Sequence, residues 1–495
     1  MAAKGADRLR ASWVLAMSAF GALITAHLIA TRGGLPLAFL LMFIPVVALF
    51  VVSIVKFPQY GLYLTIVMAF VGVGLKRYLP LPTGLAVDAF LFLTALIVFF
   101  KNFYSRNWKA LKLPINTLIL LWFIYNVLEL GNPETRSFAA WFYAVRGVAV
   151  YLLLATPLSF ILLNKKREID FFLLIWFGLS VIGALWGVKQ IHVGLDAAES
   201  AWLSVPGNQS THLLFGKLRV FSFYSDAGQF GAAQAHTGLV ALILAMGSGI
   251  KFSKRLLWGA VSMISFYGFM VSGTRGALAV PVIGLLTYFV LSKNWSILFS
   301  GLLLMALGYF MLAKTNIGHN IYEVQRLRAA VQLGSDVPSL QVRIDNQKKL
   351  ADYLKTRPFG GGVGSAGYWG MRFSPNSFLA QLPLDSWYVK IAAEHGLVGL
   401  VYYIGMLLYI FIAGGYKTMK IKDPLLKQKV LALYAGFSGI AVASYANQVL
   451  GQMPTGIVIY ISIAFIFMAS QFDTQQSPPD EKITDNAQLE AKYAR

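Results

Sequence analysis

Cysteine is absent from this chain of 495 residues, and charged residues are scarce, at 13%. The missing cysteine excludes disulfide bonds, thiolate catalysis and cysteine-ligated metal sites. Charged residues make up about a quarter of an ordinary soluble domain, so their scarcity argues against a soluble protein. The sequence also lacks a glycine-rich nucleotide-binding loop of the Walker type, which argues against an ATP-driven transporter.

Apolar residues form 57% of the chain and fall in blocks long enough to cross a membrane. A helix needs about twenty apolar residues to span the hydrocarbon core, and residues 35–55 and 295–313 are two such blocks. Strand-length alternation of apolar and polar residues is absent, which argues against a transmembrane β-barrel. The sequence therefore predicts an all-α, polytopic helical membrane protein. We expect about fourteen transmembrane helices, within a range of about 12–14. The predicted spans start near residues 12, 35, 58, 84, 114, 138, 170, 229, 254, 275, 295, 387, 429 and 452.

The net charge of +21 is unevenly distributed along the chain. With a cytoplasmic N-terminus and alternating sides, most Lys and Arg of the short loops fall in the cytoplasm, as in Lys165, Lys166 and Arg167. Cytoplasmic loops of membrane proteins are rich in these residues. We therefore expect a protein of the bacterial inner membrane with both termini in the cytoplasm, and we interpret the charge as topological rather than as a nucleic-acid surface.

Two stretches are too polar to span a membrane. A long segment before residue 385 is expected to form one large, partly helical periplasmic loop, since loops of this length are usually functional or disordered. The polar C-terminal tail is expected to be disordered and cytoplasmic. The predicted organisation is 1–228 N-terminal helices and first periplasmic loop, 229–313 central helices, 314–384 large loop, 385–472 C-terminal helices and 473–495 tail.

Charged residues in or near membrane spans are informative about function. They are costly in lipid and are usually found there only where they have a role. Arg219 and Asp226 lie in an aromatic, glycine-containing segment, KLRVFSFYSDAGQFG. Arg275 lies in a tight turn, SGTRGA, between two apolar segments. Each arginine also has a purely structural interpretation. It could contact lipid headgroups or serve as a topological anchor.

A third group follows in the large loop and the helix after it. The glycines of RPFGGGVG could present successive backbone N–H groups to an anion, although a flexible hinge explains glycines equally well. Asp385, Lys390 and Glu394 then mark the entry to a span, and Lys390 and Glu394 could simply form a helical ion pair. Arg146 lies inside a predicted span and needs either a water-filled cavity or a structural acidic partner.

The arginines predicted on the periplasmic side of the membrane suggest a diphosphate ligand. Guanidinium groups match phosphate oxygens with two parallel hydrogen bonds. Aromatic residues in the same loops could stack on sugar rings, although interfacial aromatic belts are an equally simple explanation. The proposed substrate-binding residues are Arg146, Arg343, Arg357, Gly360, Gly362, Gly364, Glu394 and Tyr388.

Three segments, in order along the chain, resemble the O-antigen ligase and O-antigen polymerase superfamily of bacterial envelope glycan enzymes. They are Arg219 with the aromatic stretch to Gly231, the SGTRGA turn, and RPFGGGVG followed by DSWYVKIAAEHGLVG. The resemblance covers about residues 215–415, and its last segment is the most specific. It implies an inverting glycosyl transfer without metal or other cofactor, from a glycan on undecaprenyl diphosphate to a sugar hydroxyl.

By the same resemblance, Arg219 and Arg275 would bind the donor diphosphate and stabilise it as leaving group, and a base would deprotonate the acceptor. Ligases of the family carry a histidine nine residues before the glutamate of the Glu-x-Gly motif, whereas this chain has Asp385 there. The departure favours a polymerase over a ligase that transfers the glycan to lipid A-core. Asp385 is then the candidate base, or else the group that orients the acceptor.

A lipid-linked sugar transporter is the alternative from another class. Transporters tend to show two similar halves with interrupted helices at corresponding places, whereas the unusual residues here cluster in the second half of the chain. The expected partners are the undecaprenyl-diphosphate-linked glycan and membrane lipid, with a chain-length regulator protein as a further candidate. No nucleic acid is expected.

Overall fold

A computed structural model describes residues 47–79, 83–101, 108–214, 216–293, 295–316, 324–325, 328 and 338–474. These residues form helices joined by loops, with one short strand pair. The helices are α1 Val47–Lys56, α2 Gln59–Leu75, α3 Leu85–Phe100, α4 Pro114–Leu128, α5 Phe138–Val145, α6 Tyr151–Leu162, α7 Lys166–His192, α8 Ala197–Leu203, α9 Pro206–His212, α10 Ala227–Ala245, α11 Phe252–Val271, α12 Ala279–Ser292, α13 Trp295–Lys314, α14 Pro338–Leu354, α15 Gly367–Phe373, α16 Phe378–Gln381, α17 Trp387–Met419, α18 Pro424–Ala443 and α19 Thr455–Thr474.

The chain divides into two compact units, Met1–Gly61 and Leu62–Arg495. In the first unit, the described part is mainly α1, an apolar helix. The second unit contains the remaining elements, including the strands β1 Leu213–Leu214 and β2 Lys217–Leu218 and short 3-10 turns at Trp108–Lys112, Glu129–Gly131 and Arg275–Leu278. A π-helical turn, Arg146–Val150, joins α5 to α6.

Seven helical stretches of the described chain are long and apolar enough to cross a membrane. Several shorter apolar helices, including α2 and α3, accompany them. The protein is therefore the all-α, polytopic membrane protein that the sequence predicts. The predicted spans near residues 58 to 452 coincide with described helices, whereas the span near residue 12 and most of the span near residue 35 lie outside the described residues. The long stretches are Pro114–Gly131, Phe138–Leu162, Lys166–His192, Arg275–Ser292, Trp387–Met419, Pro424–Ala443 and Thr455–Asp473.

Helix α10 forms the centre of the larger unit, with almost every side chain buried. Its sequence, AGQFGAAQAHTGLVALILA, is rich in small residues, which let neighbouring membrane helices approach closely. Hydrogen bonds then cross to other helices, from Gln229 Nε2 to Thr455 Oγ1 (2.9 Å) and from Gln234 Nε2 to Ser180 O (2.9 Å). Polar side chains are thus used to join helices rather than to face lipid.

Connections at one end of the helices are joined to one another, and we call this the site end. Arg77 donates to Ser222 O, Asn132 Nδ2 donates to Phe359 O (3.2 Å), and the Trp387 amide donates to Ser444 O (2.9 Å). These contacts unite connections that the alternating topology places on one side of the membrane. That this side is the periplasm remains a prediction.

The opposite end is basic and is joined by its own ion pairs. Lys166 Nζ lies 2.9 Å from Asp423 Oδ2, and Lys429 Nζ lies 2.5 Å from Asp170 Oδ1. Asp473 accepts hydrogen bonds from the Lys422 and Asp423 amides (both 2.9 Å), at the last turn of α19. The final helix thus runs to Thr474, two residues past the boundary predicted for the tail, and residues 475–495 lie outside the described residues.

The large loop is partly helical, as predicted. Helices α14, α15 and α16 all lie between the spans α13 and α17. Helix α14 is the longest of the three, and most of residues 317–337 of the loop lie outside the described residues.

Candidate functional site

A short hairpin positions Arg219 at the site end. β1 and β2 pair antiparallel, with Leu213 opposite Leu218. The turn between them includes Gly216 at φ +73°, a left-handed conformation that glycine adopts without strain. The amide of Arg219 consequently donates to His212 O (2.8 Å), and Arg219 Nη1 donates to Thr211 O (3.1 Å).

The guanidinium of Arg219 reaches the SGTRGA turn. Its Nη2 donates to Thr274 Oγ1 at 3.2 Å, and the Thr274 hydroxyl donates in turn to Ala227 O at 2.8 Å. Thr274 directly precedes Arg275, which is half-buried at the start of a 3-10 turn. The two arginine-bearing segments singled out in the sequence are therefore neighbours.

Glycines allow this close approach. A Cβ on Gly231 would lie 2.3 Å from Ser272 Oγ, and one on Gly276 would lie 2.5 Å from Asn447 Nδ2. Contacts this short never occur for real Cβ atoms, so larger residues would push the segments apart. The glycines of both motifs thus serve packing between α10, the turn and a third segment.

This third segment, the connection between α18 and α19, was not recognised from the sequence. Ser444 O accepts from the Trp387 amide (2.9 Å), Gln448 Nε2 donates to Leu384 O, and Asn447 lies against Gly276. The connection therefore touches both the Arg275 turn and the segment around Asp385. Among the residues that the structure describes, Asn447 Nδ2 is buried and has no hydrogen-bond partner, which is costly for a buried polar group. No sequence pattern marked it, because asparagine in a polar connection is unremarkable.

Asp385 forms an ion pair with Arg343, another residue of the predicted site. Arg343 Nε donates to Asp385 Oδ2 at 3.0 Å, and the two side chains are 42% and 58% exposed. They line a cavity of about 80 Å³, and Tyr445 of the α18–α19 connection lines it too. The carboxylate is thus held in position yet accessible, as a proton acceptor must be.

The glycines of RPFGGGVG are engaged in backbone packing. Gly360, Gly362 and Gly364 all have positive φ, between +77° and +83°. A Cβ on Gly360 would lie 2.4 Å from the Gly396 amide nitrogen, and one on Gly362 would lie 2.2 Å from Thr135 Oγ1. Close backbone packing therefore explains why these positions are glycine. Binding of an anion by their N–H groups remains a prediction.

Glu394 contacts the same loop from inside the helical bundle. Its side chain is fully buried, and Oε1 accepts a hydrogen bond from the Ala366 amide at 3.3 Å. The helical ion pair with Lys390, considered from the sequence, is absent among the described residues, since Lys390 Nζ lies 5.7 Å from the centre of the Trp387 ring instead. That alternative was wrong because the glutamate faces the loop rather than the preceding turn of its own helix.

Three other predicted binding residues have structural partners. Arg146 Nη1 lies 2.5 Å from Asp88 Oδ2, the acidic partner that the sequence left open as an alternative. Tyr388 donates its hydroxyl hydrogen to Ala441 O at 2.5 Å. Arg357 Nε donates to Glu134 Oε1 at 2.8 Å, at a second cavity away from Asp385. Substrate contacts by these three residues remain predictions.

His212, which no sequence pattern marked, lies beside Arg219. It is 3% exposed, and burial lowers its pKa below the usual value, with the cations of Arg219 and Arg77 adding to the effect and Asp226 opposing it. Its Nε2 accepts from the Ala227 amide (3.3 Å), and Nδ1 faces Asn208 O (2.9 Å), so these contacts fit the neutral ring. The histidine therefore ties the hairpin to the start of α10.

Part of the chain is similar to known proteins. The sequence model of the O-antigen ligase family matches residues 258–404, a stretch that includes Arg275, Arg343, Asp385 and Glu394. This stretch is less than a third of the chain, and over it the chain is similar to that family. An O-antigen polymerase of Salmonella muenchen is 30% identical over 187 residues, which are 38% of this chain. The match spans only 45% of that relative's length, so less than half of the relative is represented in the likeness.

Proposed function

We propose that this protein is a member of the O-antigen ligase and polymerase superfamily, and that it is a membrane glycosyltransferase that polymerises undecaprenyl-diphosphate-linked oligosaccharide repeats. The observation that carries the proposal is the hydrogen bond from Arg219 to Thr274, because it places Arg219 beside the turn that bears Arg275. Two guanidinium groups at one end of a helical bundle suit a lipid diphosphate, whose charged part lies at the membrane surface.

In this proposal, the arginines act on the leaving group. The diphosphate gains negative charge as the bond between the anomeric carbon and its oxygen breaks, and nearby fixed cations stabilise that charge. Asn447 adds a neutral donor, since its buried Nδ2 adjoins the turn that bears Arg275. No metal ion is required when arginines supply the charge stabilisation.

Asp385 acts on the acceptor. The acceptor hydroxyl forms the new bond to the anomeric carbon from the face opposite the diphosphate, and its proton passes to the Asp385 carboxylate. The configuration at the anomeric carbon is thereby inverted. The ion pair with Arg343 fixes the position of the carboxylate at the rim of its cavity.

A ligase is the second candidate, and the family match itself favours it, since the matching family is described as O-antigen ligase. The polymerase is favoured by the printed name of the similar Salmonella muenchen protein and by Asp385 at the position of the ligases' histidine. A deletion strain separates them. Glycan of a single repeat on lipid A-core indicates a polymerase, whereas accumulated lipid-linked polymer indicates a ligase.

The variant Arg275→Ala tests the enzymatic proposal. It should accumulate in the membrane at normal levels yet abolish chain extension, because the diphosphate loses a cation. Arg275→Lys is the matched control, since it keeps the charge without the guanidinium fork and should retain part of the activity. Polymer of normal length and amount in Arg275→Ala would refute the role of Arg275.

Sidedness belongs to the same proposal. The site end would face the periplasm from the inner membrane. A chain-length regulator protein is a candidate partner. Because the chain has no cysteine, single cysteines placed at Lys217 and Phe359 can be labelled with a membrane-impermeant reagent in intact cells. Labelling only after lysis would contradict the periplasmic orientation.

A further inference from the structure

A second and larger cavity lies at the site end, apart from the cavity of Asp385. Its volume is about 300 Å³, at the lower end of the range for small-molecule pockets. It forms between the connection that precedes α5 and the part of the large loop that follows α14. It is lined by Glu134, Thr135, Arg136, Ser137, Ala140, Tyr353, Arg357, Gly361, Val363, Gly364, Ser365, Ser374, Ser377, Phe378 and Leu379.

The charges of the lining are mixed. Arg357 Nε donates to Glu134 Oε1 at 2.8 Å, and the Tyr353 hydroxyl lies 3.4 Å from Glu134 Oε2. Arg136 is exposed at the same cavity. A carboxylate and two guanidinium groups offer both acceptors and donors, which a purely anionic ligand would not use.

Hydroxyl groups and an aromatic face complete the lining. Ser365 Oγ is buried and has no hydrogen-bond partner within the described part of the chain, so the cavity contains an unsatisfied polar group. The rings of Tyr353 and Phe378 stack at 5.0 Å between centroids, with an angle of 19° between planes. Phe378 is nevertheless 43% exposed, on a loop outside the membrane-spanning helices. An exposed aromatic ring beside hydroxyl, carboxylate and guanidinium groups matches a sugar ring, which has apolar faces and polar edges.

Helix α14 connects this cavity to Asp385. Arg343, the partner of Asp385, and Tyr353 of the larger cavity are ten positions apart on this helix, a rise of about 15 Å. We propose that the cavity binds a saccharide unit of the glycan chain at a distance from the bond being formed. The inference rests on the proposed function, since it takes Asp385 as the place where the chain grows.

A bound distal unit would keep the chain on the enzyme between additions. Binding at two places on one glycan raises the effective concentration of its end at the reaction site. Loss of the distal contact should therefore shorten the polymer while leaving the single addition intact. Loss of the diphosphate contact should stop both.

Two variants alter the cavity by different means. Phe378→Ala removes the aromatic face, and Ser374→Trp fills the space with an indole ring. Phe359→Ala is the matched control, because Phe359 is 52% exposed on the same loop and does not line the cavity.

The first measurement is binding. Soluble oligosaccharide, released by mild acid from the surface polysaccharide of the host strain, is titrated onto the full-length protein in detergent and followed by saturation-transfer NMR. Phe378→Ala and Ser374→Trp should bind about tenfold more weakly than wild type, equivalent to loss of one good aromatic contact. Phe359→Ala and Arg275→Ala should bind as wild type does. Equal binding by all variants, or no binding by wild type, would overturn the inference.

The second measurement is polymer length in cells. Phe378→Ala and Ser374→Trp should make shorter chains, and Phe359→Ala should make chains of normal length. Normal chain length in both cavity variants would overturn the inference while leaving the proposed function intact. Full polymerisation by Arg275→Ala would instead refute the proposed function, whatever the saccharide does at the cavity.

Discussion

Arg219 Nη2 lies 3.2 Å from Thr274 Oγ1, and this contact joins two segments that are separated by more than fifty residues of sequence. The Thr274 hydroxyl accepts from the arginine and donates to Ala227 O at the start of α10 (2.8 Å). One small side chain thus sets the position of Arg219 relative to the Arg275 turn. A hydroxyl is needed because an apolar side chain of the same shape can neither accept nor donate.

Thr274→Val should therefore impair polymerisation without unfolding the protein. The change keeps the shape and removes both hydrogen bonds, at a cost of about 1–3 kcal/mol for the groups left unpaired. If this cost falls on the transition state, the rate falls by about fivefold to 150-fold. The measurement is polymer formation from a lipid-linked repeat by purified protein. Thr274→Ser retains the hydroxyl and should stay close to wild type, and equal loss in both variants would show that the methyl group matters instead.

Asp385→Asn should be strongly impaired, because an amide has no negative charge with which to accept the proton. General base catalysis contributes about a hundredfold to ten-thousandfold. Arg343→Ala leaves the carboxylate in place without its ion-pair partner, so we expect a smaller loss. Rates measured with saturating lipid-linked repeat compare the two variants. If Asp385→Asn retains full activity, the base lies elsewhere, and Asp226 becomes the next residue to test because Glu394 is fully buried.

Gly360→Ala should lower the thermal stability of the protein. Its φ of +77° disfavours alanine by about 1–2 kcal/mol, and the added Cβ would lie 2.4 Å from the Gly396 amide nitrogen. Gly367 has φ +63° and open space around it, so Gly367→Ala carries the backbone strain without the clash. The unfolding midpoint in detergent, followed by tryptophan fluorescence, should fall more for Gly360→Ala. Equal midpoints would show that the loop can move away from α17.

The stability of wild type should fall as the pH drops below about 6.5. Burial lowers the pKa of His212 in the folded protein, so the unfolded chain binds a proton that the folded chain resists. The contribution of His212 is complete above the unfolded pKa and is lost as the pH falls toward the folded pKa. His212→Gln should flatten this dependence between about pH 5 and 7. An unchanged slope in the variant would assign the effect to other groups.

The spans and the three motifs were accessible from the sequence because their signals are local. Hydrophobic length alone locates membrane helices, and the described helices begin close to the predicted positions. The SGTRGA turn and the Asp385 segment were marked by charge and glycine in places where lipid disfavours them. Their predicted common side of the membrane allowed Arg219 and the Arg275 turn to meet, and the family resemblance implied that the two arginines share a ligand.

The remaining features depend on contacts between distant parts of the chain. Arg146 has the same local appearance whether it binds substrate or Asp88, and only the fold shows the aspartate 2.5 Å away. The spacing of Lys390 and Glu394 allows an ion pair, yet the loop amide of Ala366 takes the carboxylate instead. Asn447 has no distinguishing pattern, and it became visible only through its position against Gly276.

The connection between α18 and α19 sets a limit on how this protein can vary. Because Ser444, Asn447 and Gln448 each contact a different neighbour, one inserted residue there would shift the register of all three contacts together. Epitope tags or natural insertions should be tolerated far better in the surface turn at Gly194, where no side chain lies within 4 Å of an added Cβ. The length of this short connection is thus constrained by three contacts at once.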